Sequence, residues 1–137
     1  PSDKIKFEYR NNDLPKELIF LSASFKGKKR SSNYIQRDMI KMKEKKDSTQ
    51  PTKIKTSGST FKNPINQTKK KVWELIKESV PLDTNFGDAC ISNKHCNFFI
   101  NTNNASFNDM SKLIEFVRKS VEKKTGIKLE KEIKILK

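Results

Sequence analysis

Apolar positions recur along the chain with two periods. Ile5-Lys6-Phe7-Glu8-Tyr9 alternates apolar with polar, the period of a half-buried strand, and Leu18 to Phe25 is a second apolar run of strand length closed by Lys26-Gly27. Asn11-Asn12-Asp13-Leu14-Pro15 between them is turn chemistry, so the two runs predict a hairpin or neighbouring strands. Residues 26–32 are polar and predict a loop. From 33 to 47, Ile35, Met39 and Met42 share one face of an otherwise charged segment, which predicts a helix that needs something to lean on. Ser48-Thr49-Gln50-Pro51-Thr52 breaks it and marks a junction between two units.

The second unit is better patterned. Residues 56–64 are rich in small polar side chains and predict a short strand or loop. A helix is expected near Thr68 to Ser79, with Val72, Leu75, Ile76 and Trp73 on its apolar side and Pro81 as its stop. Residues 88–92 and 97–101 read as two strands around Lys94-His95. The longest helix is expected at 107–124, with Ser106 and Asp109 as a capping pair and Gly126 at the left-handed position past its end. Its apolar stripe is Phe107, Met110, Leu113, Ile114, Val117 and Val121. Leu129 to Leu136 is expected to close the chain as a strand, with Glu130, Glu132, Lys134 and Leu136 on one face. Helices against a mainly antiparallel sheet make the fold class α+β.

Composition narrows the function. Only 33% of the 137 residues are hydrophobic, against roughly 45–50% (glycine included) for a typical globular chain, so the core is modest. No apolar run reaches the ~18 residues of a membrane span, and Pro1-Ser2-Asp3-Lys4 lacks the charged-then-apolar start of a signal peptide. Two cysteines do not make a disulfide framework. A net charge of +14 invites a nucleic-acid reading. Arginine, the residue that forks onto phosphates and base edges, occurs only at positions 10, 30, 37 and 118, and the excess is lysine spread along the chain. A basic nucleic-acid-binding module is therefore the alternative and not the principal reading.

Candidate chemistry is sparse when taken residue by residue. Cys90, His95 and Cys96 lie close together, but a structural zinc site needs four ligands and a second pair is missing. Gly58-Ser59 lacks the rest of a phosphate-loop motif, and four glycines leave no glycine-rich nucleotide fingerprint. Arg10 and Glu132, read alone, are surface charges.

Four stretches taken together change the picture: Phe7-Glu8-Tyr9-Arg10-Asn11, Gly58-Ser59-Thr60-Phe61-Lys62-Asn63-Pro64, Gly87-Asp88-Ala89 running on to Asn101, and Gly126 to Ile135. In this order they resemble the C-terminal half of bacterial UDP-N-acetylenolpyruvoylglucosamine reductase (UDP-N-acetylmuramate dehydrogenase), in its shorter form without a tyrosine-bearing insertion. The Gly-Ser-x-Phe-Lys-Asn-Pro string is the most specific part. Glu-Ile-Lys near the end stands where the family commonly has Glu-Val-Arg, and Cys90 and Cys96 replace more usual polar or small residues.

The resemblance implies a cytoplasmic flavoenzyme of peptidoglycan precursor synthesis, serving cell-wall growth, cell shape and division. NADPH reduces FAD, and hydride then passes to the enolpyruvyl double bond of UDP-N-acetylglucosamine enolpyruvate. It implies Ser59 as proton donor to the resulting carbanion, and Glu132 with Arg10 as stabilisers of the enol-like intermediate. It also implies Tyr9, Lys62 and Asn63 as substrate-binding neighbours. Chemically, charge building on a carboxylate suits a guanidinium, and a hydroxyl delivers a proton locally. The family's FAD domain lies mostly N-terminal. Residues 1–47 then correspond to its C-terminal remnant and residues 48–137 to the substrate-binding domain. The partner expected for this chain is an N-terminal FAD-binding half, without which it neither holds FAD tightly nor turns over.

Overall fold

The structure is a computed structural model that describes residues 2–136. The ordered core belongs to the second unit. Strands β3 (Lys55–Ser59), β4 (Asn85–Phe86), β5 (Ala89–Ile91) and β6 (Phe98–Asn101) form one antiparallel sheet in the order β3-β6-β5-β4. Helices α2 (Val72–Ser79) and α3 (Phe107–Thr125) pack on each other and close the core, α3 lying against β4 and β5. Leu75, Ile76, Leu113, Val117 and Val121 are buried between them, and Phe61 meets Phe99 edge to face with centroids 6.0 Å apart. This is the expected α+β architecture.

Local chemistry explains the element ends. The Ser106 hydroxyl accepts from the Asp109 amide at 3.1 Å while the Asp109 carboxylate accepts from the Ser106 amide at 2.9 Å, so both ends of a capping box are made. Gly126, at φ 75°, takes the left-handed position that ends α3. Helix α2 starts four residues later than the expected Thr68. Its first amide, on Val72, donates to the Asn63 side chain at 3.0 Å, and the Glu74 carboxylate accepts from the Lys71 amide.

The first unit departs from expectation. Phe7–Glu8 (β1) pairs with Asn11–Asn12 (β2) in a hairpin whose loop is Tyr9-Arg10, not with the 18–25 segment. Leu18 to Phe25 forms no strand; Leu21 and Phe25 are each 93% exposed. An apolar run becomes a strand only where a pairing edge comes with a face to bury, and none of the described residues covers this run. Helix α1 (Ser32–Thr49) forms as expected, but no residue of it is buried and its Ile35-Met39-Met42 stripe faces outward. The closing strand is also absent. Leu129–Leu136 makes one bridge, Lys131 with Phe61, flanked by amide bonds from Lys62 to the Glu130 carbonyl and from Glu132 to the Thr60 carbonyl. Beyond Glu132 the antiparallel register would carry the segment past Ser59 and Gly58, where β3 shifts register and Gly58 takes φ 87°, and the ladder stops there. Two stripe residues are misplaced as well: Phe107 is exposed at the start of α3, and Trp73 is 41% exposed and points out of the core.

Candidate active site

Ser59 ends β3 beside an irregularity. The β3–β6 pairing shifts register between Thr56 and Ser59, and Gly58 sits in the shift at φ 87°, a conformation that L side chains rarely adopt. Thr56 closes the near side: its hydroxyl donates to the Phe99 carbonyl at 2.8 Å and accepts from the Gly58 amide at 3.2 Å. The bulge re-aims Ser59, which opens onto a polar cavity of about 250 Å³.

Glu132 reaches the same cavity from the C-terminal segment, because its amide bonds to the residue immediately after Ser59. Lys131, next to it, lashes the segment to α3 through Glu115 at 3.5 Å. Arg10 arrives from the β1–β2 loop. Its Nη2 lies 2.8 Å from Glu132 Oε1, and its backbone holds φ 57°, the left-handed region that favours glycine. The Tyr9 hydroxyl accepts from the Asn63 amide at 3.1 Å and pins the hairpin to the Asn63-Pro64 turn. Tyr9, Arg10, Ser59, Asn63 and Glu132, five of the six residues singled out in the sequence, therefore line one cavity.

Lys62 does not. It is ion-paired with Glu130 and lines a separate depression with Gln67 and Lys128, on the far side of Tyr9 and Asn63. Successive residues of an extended segment point to opposite faces, and Lys62 takes the face that Asn63 does not.

Six more residues complete the cavity wall, none of them assigned to this site from sequence: Phe61, Lys71, Val72, Trp73, His95 and Asn97. His95 and Trp73 also line a larger cavity of about 380 Å³ with Lys77, Leu82, Lys94 and Cys96. The two hollows share that wall. Burial pushes the His95 imidazole below its ordinary value. Its Nδ1 accepts from the Asn97 amide at 3.3 Å, which leaves the proton of the neutral ring on Nε2. Burial raises the Cys96 thiol, which donates to the Trp73 carbonyl at 3.0 Å. Cys90 and Cys96 are both free, and among the described residues no three His, Cys, Asp or Glu side chains converge as a metal site would require. Among the described residues no helix is long and apolar enough to cross a membrane.

A strand bulge, a hairpin loop and the C-terminal segment thus bring a hydroxyl, a guanidinium and a carboxyl group to one hollow of an α+β domain, a layout found in enzymes. A sequence profile of the UDP-N-acetylenolpyruvoylglucosamine reductase C-terminal domain matches residues 50–136, and the chain belongs to that family. It is 71% identical over 137 residues to the UDP-N-acetylenolpyruvoylglucosamine reductase of Pelagibacter ubique, covering 100% of the chain and 45% of that relative. The Rickettsia typhi reductase is 45% identical over 131 residues, 96% of this chain and 43% of its own length. The crystal structure of UDP-N-acetylenolpyruvylglucosamine reductase from Thermus caldophilus superposes with a TM-score of 0.74 at 30% identity, covering 96% of this chain and 46% of that one. The chain thus spans less than half the length of the relatives it matches.

Proposed function

We propose that this chain is the substrate-processing part of a cytoplasmic reductase that converts UDP-N-acetylglucosamine enolpyruvate to UDP-N-acetylmuramate for peptidoglycan synthesis. The observation that carries this reading is the convergence of Arg10, Ser59 and Glu132, far apart in sequence, on one cavity. Residues 1–47 are then the end of the flavin domain and 48–137 the substrate domain. All the buried apolar residues fall between Phe61 and Leu129, in keeping with that division. FAD and NADPH are held by the part of the protein outside this chain; with four glycines in 137 residues, the chain itself has no glycine-rich cradle for a flavin diphosphate.

Held by the rest of the protein, a flavin would supply the hydride for the methylene carbon of the enolpyruvyl group. This chain manages the charge and the proton. Negative charge collects on the neighbouring carbon and its carboxylate. Arg10, already aimed at Glu132 Oε1, meets that carboxylate, and Glu132 stands beside it to share the guanidinium or to donate to the enol oxygen. The Ser59 hydroxyl gives its proton to the carbanion carbon and recovers one from solvent or from Glu132. The sugar and enolpyruvyl groups fill the smaller cavity, and the nucleotide end crosses the His95–Trp73 wall into the larger one. Lys77 and Lys94 with no lining carboxylate favour a diphosphate there. The neutral His95 ring offers Nε2–H at the crossing. Tyr9 and Asn63 brace the opposite wall, and Lys62 engages substrate only by leaving Glu130.

The test uses a complete enzyme made by joining this chain to the part of the Pelagibacter ubique relative that it lacks. Ser59→Ala should slow flavin reoxidation by substrate by about 10²–10⁴-fold, the usual weight of a positioned proton donor, while leaving flavin reduction by NADPH unchanged. Equal loss in both half-reactions would overturn the assignment.

A further inference from the structure

Asn97, which has no chemical task in the proposed reaction, is bound to the strand that bears Ser59 more closely than any residue of the cavity wall. It is 3% exposed. Its side chain embraces the Phe61 backbone from both sides: Oδ1 accepts from the Phe61 amide at 3.0 Å and Nδ2 donates to the Phe61 carbonyl at 2.9 Å. Its own carbonyl accepts from the Thr60 amide at 2.8 Å. Three bonds thus fix the two residues after Ser59. The Thr60 carbonyl, on the same clamped stretch, accepts from the Glu132 amide at 2.9 Å. The Asn97 side chain fixes Phe61 and its main-chain carbonyl fixes Thr60, so one residue holds the backbone on which the hydroxyl and the carboxyl both depend. Thr56 holds the strand before the bulge and Asn97 holds it after, so Ser59 is the residue between two clamps.

We infer that Asn97 is a positioning residue for the protonation step. It holds the Ser59 hydroxyl and the Glu132 carboxyl in register with each other across the cavity. The inference rests on the proposed role of Ser59. It also gives a reason for the amide side chain. A carboxamide carries an acceptor and a donor side by side on one short branch and so bonds both polar atoms of a single backbone residue, which an ionised Asp, an acceptor only, and Leu, with neither, cannot do.

The test is a double-mutant cycle in the complete enzyme, read as the rate of flavin reoxidation by substrate. Asn97→Ala should slow that half-reaction by about 10²-fold, the order expected when a catalytic group is misplaced by ~1 Å. Flavin reduction by NADPH should be unchanged. In the Ser59→Ala background the same change should cost clearly less than it does alone, because the hydroxyl is gone and only the Glu132 carboxyl is left to misplace. Product formed in D₂O should also lose stereochemical purity at the newly protonated carbon. Asn97→Asp, which keeps the shape and one acceptor but sets a carboxylate against the Phe61 carbonyl, repeats the measurement if Asn97→Ala melts below the assay temperature. Additive losses in the cycle, equal slowing of both half-reactions, or unfolding of both variants would make Asn97 a general fold residue and overturn the inference. If Ser59→Ala itself leaves reoxidation unchanged, it is the function assigned to Ser59 that fails.

Discussion

Arg10 occupies a conformation that glycine would take without strain, in a two-residue hairpin loop, with half its side chain in solvent. Backbone strain of this kind, of order 1–3 kcal/mol, persists where the surroundings over-determine it. Here Tyr9 is bonded to Asn63 and the guanidinium to Glu132. The ion pair itself is a weak brace, since exposed pairs contribute about 0–1 kcal/mol. Glu132→Gln should consequently lower stability by less than about 1 kcal/mol, yet reduce turnover of the complete enzyme by more than about 10²-fold. Thermal melts and steady-state rates on the same preparation check this, and a large fall in melting temperature with turnover preserved would give Glu132 a structural role instead. At this scale the sequence is mute without a resemblance: Arg10, Ser59 and Glu132 are ordinary residues at separations that no local period relates. That His95, Trp73 and Asn97 join this site is illegible for another reason. Their signal is a shared wall, which exists only once β6 lies beside β3.

The elements show where pattern suffices. Helix α3 carried every local signal of its own ends, from the Ser106–Asp109 box to Gly126, and it forms where those signals put it. The two strands expected around Lys94-His95 form for a similar reason, since a tight connection brings them together. Elements that depend on a partner fared differently: the 18–25 run joins neither open edge of the sheet, and the C-terminal segment stops pairing where β3 shifts register at Gly58 and Ser59. The β5–β6 connection also makes a pH prediction. Burial lowers the His95 pKa in the fold, so the unfolded chain binds more protons between that lowered value and the ordinary ~6.5. Stability is fully present above about 6.5 and is lost as pH falls through that window. Melting temperatures from pH 7 to 5 should therefore fall more steeply for the native chain than for His95→Gln; parallel curves would contradict this.

Across the whole molecule, a packed domain carries a long, largely unburied N-terminal segment. Exposed apolar side chains recur through that segment: Phe7, Ile19, Leu21, Phe25, Met39 and Met42. The core owes nothing to it. A chain beginning at residue 50 should retain a cooperative melt within a few degrees of the full 137 residues, and should lose the guanidinium of its cavity. Loss of cooperative melting would mean that helix α1 contributes more than its exposed surface indicates. The fold class was legible because two amphipathic helices and a short-strand pattern leave few other ways to bury one core. The meeting of the hairpin loop, the bulge and the tail was not, because all three contacts are long-range. Its most direct test uses the isotope-labelled chain itself, titrated with UDP-N-acetylglucosamine enolpyruvate and followed by NMR. The amides of Arg10, Ser59 and Glu132 should shift together along one binding curve, with those of Lys94 and His95. Saturation at Lys94 and His95 while Ser59 and Glu132 stay unmoved would mean that the substrate's reacting end lies elsewhere.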